Sequence, residues 1–180
     1  MTGRDAEEYR ALRATIRERG TTRVWLFVVG LAVWAALVVA TAALAALPIA
    51  TLLPLLLLAA VFEAVFALHV GVERIGRYIQ VYFEEADGWE HTAMAYARAF
   101  RGGTDPLFTL VFAGATILNF VPALIAEPVL VEAVVIGFAH VLFVVRLAIA
   151  RREAGRLRAI DLERFEKLKN ESAKRGRLPS

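Results

Sequence analysis

The sequence predicts an all-α fold: a polytopic membrane protein with four transmembrane helices as two hairpins, accompanied by amphipathic cytoplasmic helices. Of its 180 residues 58% are hydrophobic and the mean hydropathy is +0.56, which exceeds the usual composition of a soluble domain. The apolar residues are gathered into two stretches without Lys or Arg, 24–73 and 102–145. Each stretch is long enough to cross the hydrocarbon layer twice at about 20 residues per crossing. Four spans are therefore predicted.

The distribution of basic residues predicts the orientation of these spans. Six of the 21 Lys and Arg residues precede residue 24, four lie between the two apolar stretches, and eleven follow the second stretch. Because cytoplasmic flanks are enriched in Lys and Arg, we expect both termini and the central loop in the cytoplasm and the chain in the inner (plasma) membrane. The predicted segments are a cytoplasmic amphipathic N-terminal helix (1–23), a first transmembrane hairpin (24–70), a cytoplasmic helical elbow (71–105), a second transmembrane hairpin (106–146) and a cytoplasmic basic helical tail (147–180).

Composition also limits the classes of function. The chain has no cysteine, which excludes disulfides, thiolate metal sites and cysteine nucleophiles. Its net charge of +3 does not predict nucleic-acid binding, because no independent domain interleaves basic and aromatic residues. No glycine-rich phosphate loop or nucleophile elbow is found in the sequence. An enzyme is thus the less favoured class, and no cofactor is predicted apart from the metal considered below.

Helix boundaries in the first span follow from capping and stop signals. Asp5 and Glu8 have the spacing of a capping box, and Gly20 is expected to end the N-terminal helix. A strip of alanines at 32, 36 and 40 predicts a face on which another helix packs closely.

The later boundaries are predicted in the same way. The stretch 54–83 has no helix breaker after its start and is expected to form one long helix that leaves the membrane. Asp87 and Glu90 predict a capping box for a short helix, and Pro122 is expected to end the third span near Val121. The last helix has no proline before residue 177, which predicts that it extends far into the cytoplasm.

Glu63 is the unusual residue of the apolar stretches, because a carboxylate in lipid is costly unless it is paired, protonated or facing a cavity. It lies six residues before His69, and His140 lies six residues before Arg146, so we expect similar depths. A Glu63–His140 pair is therefore predicted. It serves either as a clasp that fixes helix register or as a proton relay. The clasp is favoured, since a relay also needs polar residues in the outer half, where the sequence supplies Thr41, Thr51, Thr116 and Asn119.

A metal site is a further possibility. His69 and Glu73 are four residues apart on one helix face, a spacing that lets two side chains hold one ion. With Glu63 and His140 they would form a carboxylate–histidine site for iron, manganese or zinc. A salt-bridged helix surface accounts for the same spacing with fewer assumptions.

The cytoplasmic segments carry a predicted contact face. Aromatic residues share one side of the elbow helix, and apolar residues share one side of the tail, which suggests docking to the bilayer surface, to other helices or to a partner. We therefore expect a membrane scaffold or accessory subunit that forms a homo-oligomer or joins a larger membrane complex. The alternatives are a small proton- or ion-coupled transporter that uses Glu63 and His140, and a membrane metal-binding enzyme. The contact face comprises Trp89, Tyr96, Phe100, Leu157 and Phe165.

Overall fold

The fold is all-helical, as the sequence predicts. The computed structural model describes residues 3–43, 47–85, 87–100 and 106–175; 93% of these residues are helical and none is in a strand. The helices are α1 (Gly3–Ala43), a short 3₁₀ helix (Pro48–Thr51), α2 (Leu52–Tyr82), α3 (Trp89–Ala99), α4 (Pro106–Ile125) and α5 (Leu130–Arg175).

Helix α1 is continuous over 41 residues, so the predicted stop at Gly20 is wrong. A glycine inside a helix costs only about 1 kcal/mol relative to alanine, and the apolar run that follows favours continuation. Gly20 does not have the positive φ of a helix-ending glycine, a conformation that no glycine of the described residues adopts. The predicted N-terminal helix and first span are therefore parts of one helix.

The predicted long helices are confirmed. Helix α2 runs for 31 residues and α5 for 46 residues without interruption. Pro54 is the third residue of α2, where its missing N–H would have no partner within the helix.

Helix α4 does not end at Val121 as predicted. Pro122 lies inside its last turn, and the helix continues to Ile125. The loss of one backbone hydrogen bond near a helix end is tolerated, and Ala126 N still donates to Pro122 O at 3.1 Å. The chain reverses at Glu127, whose φ of 47° is the only positive φ of a non-glycine residue in the described ranges.

Three helices are long and apolar enough to cross a membrane: Gly3–Ala43, Pro48–Tyr82 and Leu130–Arg175. Helix α4 is 20 residues long and is apolar over the stretch Thr109–Ile125. Length and composition thus agree with an integral membrane protein, while the arrangement as two hairpins stays a prediction.

The chain divides into two compact units. One, here called the apolar unit, comprises Thr22–Ala67 and Asp105–Arg152; the other, the charged unit, comprises Met1–Thr21, Leu68–Thr104 and Glu153–Ser180. Helices α1, α2 and α5 contribute residues to both. The core of the apolar unit is formed by Trp34, Leu55, Leu58, Val61, Phe62, Val65, Phe112, Ala115, Phe143, Leu147 and Ala150.

Close packing of α1 in the apolar unit depends on Gly30. A Cβ atom at this position would lie 2.6 Å from both γ carbons of Val61, so only glycine permits this approach. The predicted alanine strip does not make the contact, because Ala32, Ala36 and Ala40 are exposed on another face of α1.

Candidate functional site

Asn119 is the centre of a buried polar cluster in the apolar unit. Its Oδ1 accepts a hydrogen bond from Trp34 Nε1 at 3.2 Å, and its Nδ2 lies 3.0 Å from Thr51 O and 3.1 Å from His140 Nε2. The side chain is 1% exposed. One amide thus joins α1, the 3₁₀ helix, α4 and α5, and we call these four residues the Asn119 clasp. From its position just before Pro122, the sequence predicts that Asn119 either caps the turn or bonds to a neighbouring helix, and these contacts confirm the second alternative.

The hydrogen bonds define the state of His140. Its Nδ1 lies 2.7 Å from Ile136 O, and because a carbonyl only accepts, Nδ1 carries the proton and Nε2 accepts from Asn119. Both ring nitrogens are then used by a neutral imidazole. A flipped Asn119 amide would place its oxygen against the acceptor Thr51 O and its N–H groups against the donor Trp34 Nε1. Neither contact could be a hydrogen bond, so the network fixes the orientation of the amide.

The buried threonines of the apolar unit bond to their own segments. Thr41 Oγ1 donates to Leu37 O at 2.9 Å, Thr51 Oγ1 to Pro48 O at 2.8 Å, and Thr116 Oγ1 to Phe112 O at 2.7 Å. Such back-bonding satisfies a hydroxyl without a partner or water. The three threonines that the sequence offered for a pathway are therefore engaged locally.

Glu63 does not pair with His140, and the predicted pair is wrong. Arg146 Nε donates to Glu63 Oε1 at 2.6 Å and Arg146 Nη2 to Glu63 Oε2 at 2.8 Å. A bidentate guanidinium satisfies both carboxylate oxygens, which one imidazole cannot do. The side chains of His140 and Arg146 also point in different directions, since residues six apart on a helix are about 120° apart around its axis.

The Glu63–Arg146 pair closes one end of an open groove between α2 and α5. The groove has a volume of about 500 Å³ and is otherwise apolar, with leucines and alanines on both helices. The Arg146 guanidinium carbon also lies 5.3 Å from the centroid of the Phe66 ring. The side chains of Glu63 and Arg146 are 47% and 32% exposed. The carboxylate that the sequence placed among apolar neighbours is thus ion-paired at the surface of this unit.

His69 and Glu73 belong to the charged unit, whereas Glu63 and His140 belong to the apolar unit. Glu73 Oε2 lies 2.8 Å from Arg158 Nε, and Asp161 Oδ2 accepts from Arg74 Nε at 3.0 Å. A cavity of about 10 Å³ is lined by His69, Glu73, Arg158 and Asp161. This volume is about the size of one water molecule. The carboxylates already have cationic partners. Across the described residues no three His, Asp or Glu side chains are placed to hold a metal ion, so the four-residue metal site does not form.

An ionic cluster, which the sequence did not predict, connects the helices of the charged unit. Arg13 of α1 donates to Glu84 at 2.6 Å and to Glu90 of α3 at 2.7 Å. The second oxygen of Glu90 lies 3.6 Å from Arg77 of α2. Although burial lowers the pKa of Arg13, its hydrogen bonds to Tyr9 and Glu90 raise that pKa above its ordinary value. Three helix segments are joined by these contacts.

Glu84 also caps α3. Its Oε2 accepts from Glu90 N at 2.7 Å, whereas the N-cap residue Gly88 has no side chain to do so. The predicted capping box of Asp87 and Glu90 is therefore wrong, because Glu90 is recruited by Arg13. A Cβ at Gly88 would lie 2.6 Å from Glu84 Oε2, so glycine leaves space for this cap.

Two faces of α3 differ in their contacts. His91 makes two bonds with Gln80, through Gln80 Nε2 at 3.3 Å and Gln80 O at 3.2 Å, and Met94 Sδ lies 2.8 Å from Arg77 Nη1. The opposite face carries Trp89, Tyr96 and Phe100, which are 70%, 61% and 59% exposed.

The predicted contact face does not form a single surface. Phe165 packs edge-on against Tyr78 and Tyr82, at centroid distances of 5.6 and 6.5 Å. Leu157 lines the small cavity beside Glu73. These two tail residues are therefore used inside the charged unit, and the exposed part of the predicted face is the aromatic side of α3.

Tyr78 connects α2 to α1. Its hydroxyl donates to Glu8 Oε1 at 2.9 Å. Burial raises the pKa of the Tyr78 phenol, and the hydrogen bond to Glu8 raises it further, because both favour the protonated form over the phenolate.

Comparisons with protein-family models, with curated proteins and with solved structures find no match to this chain. The function is therefore argued from the geometry of the two units.

Proposed function

We propose that the chain is a four-span protein of the inner membrane with both termini in the cytoplasm, and that it acts as a scaffold or accessory subunit of a membrane assembly. The basic residues before residue 24, at 74–101 and after residue 145 support this orientation. Helix α4, which is 20 residues long, serves as the third span, since about 20 residues cross the hydrocarbon layer.

The docking of α5 within the charged unit is the observation that supports a scaffold role. Arg74 donates to Asp161, Arg158 forms an ion pair with Glu73, and Lys169 Nζ donates to Val81 O, so this half of α5 is attached to α2 at three points. A preorganised surface binds a partner with less loss of conformational entropy.

The same half of α5 also offers an exposed residue to a partner. This half of α5 is rich in charged residues. Among its described residues after 152, the exposed large hydrophobic one is Leu168, which is 52% exposed. We place the partner contact there, on an apolar residue surrounded by charges.

The polar groups of the apolar unit favour a scaffold over the alternative of proton- or ion-coupled transport. Glu63 and His140 have separate partners, Arg146 and Asn119. A relay needs groups that can exchange protons along a path, whereas these contacts hold helices together. Proton- or ion-coupled transport is the alternative proposal.

The mass of the assembly tests the scaffold role. The full chain is extracted from its membrane in native lipid discs, and the mass of the isolated complex is measured for wild type, for Leu168→Glu and for Ala159→Glu. Both variants add one negative charge at an exposed position of α5. The proposal predicts a complex heavier than one chain for wild type and Ala159→Glu, and its loss for Leu168→Glu. A monomeric wild type, or a Leu168→Glu complex of unchanged mass, contradicts the proposal.

A further inference from the structure

The contacts that anchor α3 leave its aromatic face exposed. Glu90, about 100° from Trp89 around the helix axis, is held by Arg13 and Arg77, and Glu84 fixes the first turn. These contacts set the rotation of α3 about its axis. Trp89 and Tyr96 lie within about 20° of each other around the helix axis. The ring of Phe100, which follows the last residue of α3, lies 4.8 Å from the ring of Tyr96.

The chain keeps this face near the bilayer surface in the proposed topology. Five residues separate Phe100 from Pro106, the first residue of α4, and six Cα–Cα steps reach at most about 20 Å. The sequence adjacent to the aromatic residues also carries Arg98 and Arg101, which complement anionic headgroups.

The chemistry and size of the face favour lipid over a protein partner. Tryptophan and tyrosine are enriched at the level of lipid headgroups because each ring has an apolar body and a polar group. Three partly exposed rings offer roughly 300–500 Å² at about 150–250 Å² per aromatic side chain. A stable protein interface takes about 800 Å² from each partner.

We infer that α3 is an interfacial helix whose face of Trp89, Tyr96 and Phe100 inserts into the headgroup region of an anionic cytoplasmic leaflet. The inference rests on the membrane-spanning part of the proposed function and not on its partner contact. It makes α3 a membrane anchor for the charged unit, so that the unit is held at the lipid surface by an element that does not span the bilayer.

Single nitroxide labels test this inference in the full chain. Because the protein has no cysteine, a Tyr96→Cys variant carries one label on the aromatic face. Ala95→Cys is the matched control, since Ala95 is also exposed and points about 100° away from Tyr96. Val141→Cys labels an exposed residue of α5 in the apolar unit. The variants are reconstituted in vesicles of phosphatidylcholine and phosphatidylglycerol, and collisions with oxygen and with a water-soluble nickel chelate are measured.

The inference predicts that oxygen access relative to nickel access is severalfold higher at Tyr96→Cys than at Ala95→Cys. It also predicts that this ratio falls in vesicles of phosphatidylcholine alone. Equal, water-like access at both α3 positions overturns the inference, and so does a Tyr96→Cys label shielded from both reagents, which indicates a protein partner. A Val141→Cys label without oxygen access overturns the membrane-spanning proposal itself, whereas oxygen access at Val141→Cys with water-like access at Tyr96→Cys overturns the inference alone.

Discussion

Glu63 and Arg146 form a bidentate ion pair between α2 and α5, with N–O distances of 2.6 and 2.8 Å. The pair gives the carboxylate a charged partner and leaves His140 to a different cluster. It therefore separates two residues that a proton relay would have to connect.

The free energy of this pair is measurable by a double-mutant cycle. We expect Glu63→Gln and Arg146→Gln each to destabilise the protein and the double variant to lose less than the sum, with a coupling of about 1.5 kcal/mol for a charged hydrogen-bonded pair. Unfolding in mixed micelles with increasing dodecyl sulfate measures these free energies. Strictly additive effects would show that the contact contributes nothing to stability.

The Asn119 clasp is expected to stabilise the apolar unit. Asn119→Leu keeps a similar side-chain volume but removes the hydrogen bonds to Trp34, Thr51 and His140. At about 0.6 kcal/mol for each hydrogen bond within a membrane, we expect the free energy of unfolding to fall by about 2 kcal/mol. The same unfolding assay measures it. Leu118→Ala, at an exposed neighbour, should change stability by less than about 0.5 kcal/mol. An Asn119→Leu protein as stable as wild type would refute the clasp.

Gly30 is expected to tolerate no larger residue while Val61 is present. Gly30→Ala places a methyl group 2.6 Å from the Val61 γ carbons and should cost about 1–3 kcal/mol through overpacking. Combining it with Val61→Ala should recover most of that loss. Gly114→Ala is the control, because no atom lies within 4 Å of its new Cβ, and we expect unchanged or slightly higher stability. A harmless Gly30→Ala, or no recovery in the double variant, contradicts the packing.

Periodicity and composition predict the helices of this chain better than its contacts. The continuity of α2 and α5 follows from long runs without a breaker. The errors at Gly20 and Pro122 have a common cause: a residue that weakens a helix locally does not by itself end it.

The partner of Glu63 could not be read from the sequence. Counting residues estimated the depth of His140 but not the direction in which it points, and only the rotation of α5 decides between His140 and Arg146. Asn119 was predictable, because a buried amide in an apolar helix must find hydrogen-bond partners. Arg13, Glu84 and Glu90 are distant in sequence and charged, so nothing in their spacing indicated that they meet.

Tyr78 predicts a dependence of stability on alkaline pH. Burial and the bond to Glu8 raise its pKa in the folded state, so its contribution is complete below the unfolded pKa of about 10 and is lost as pH rises through the folded value. Absorbance of phenolate at alkaline pH, taken as the difference between wild type and Tyr78→Phe, measures this titration. Glu8→Gln should lower the pKa of Tyr78 toward 10, about the ordinary tyrosine value. An unchanged titration in Glu8→Gln would exclude the negative charge of Glu8 as a cause.

Proton flux across liposomes tests most directly whether the polar residues of the apolar unit are structural. Purified wild type and Glu63→Gln are reconstituted with an internal pH indicator, and a potassium diffusion potential drives proton entry. A scaffold whose Glu63 is paired with Arg146 predicts that both proteins give the rate of protein-free liposomes. A wild-type flux above that rate that is abolished by Glu63→Gln, in a variant that still folds, would contradict the account and establish the transporter.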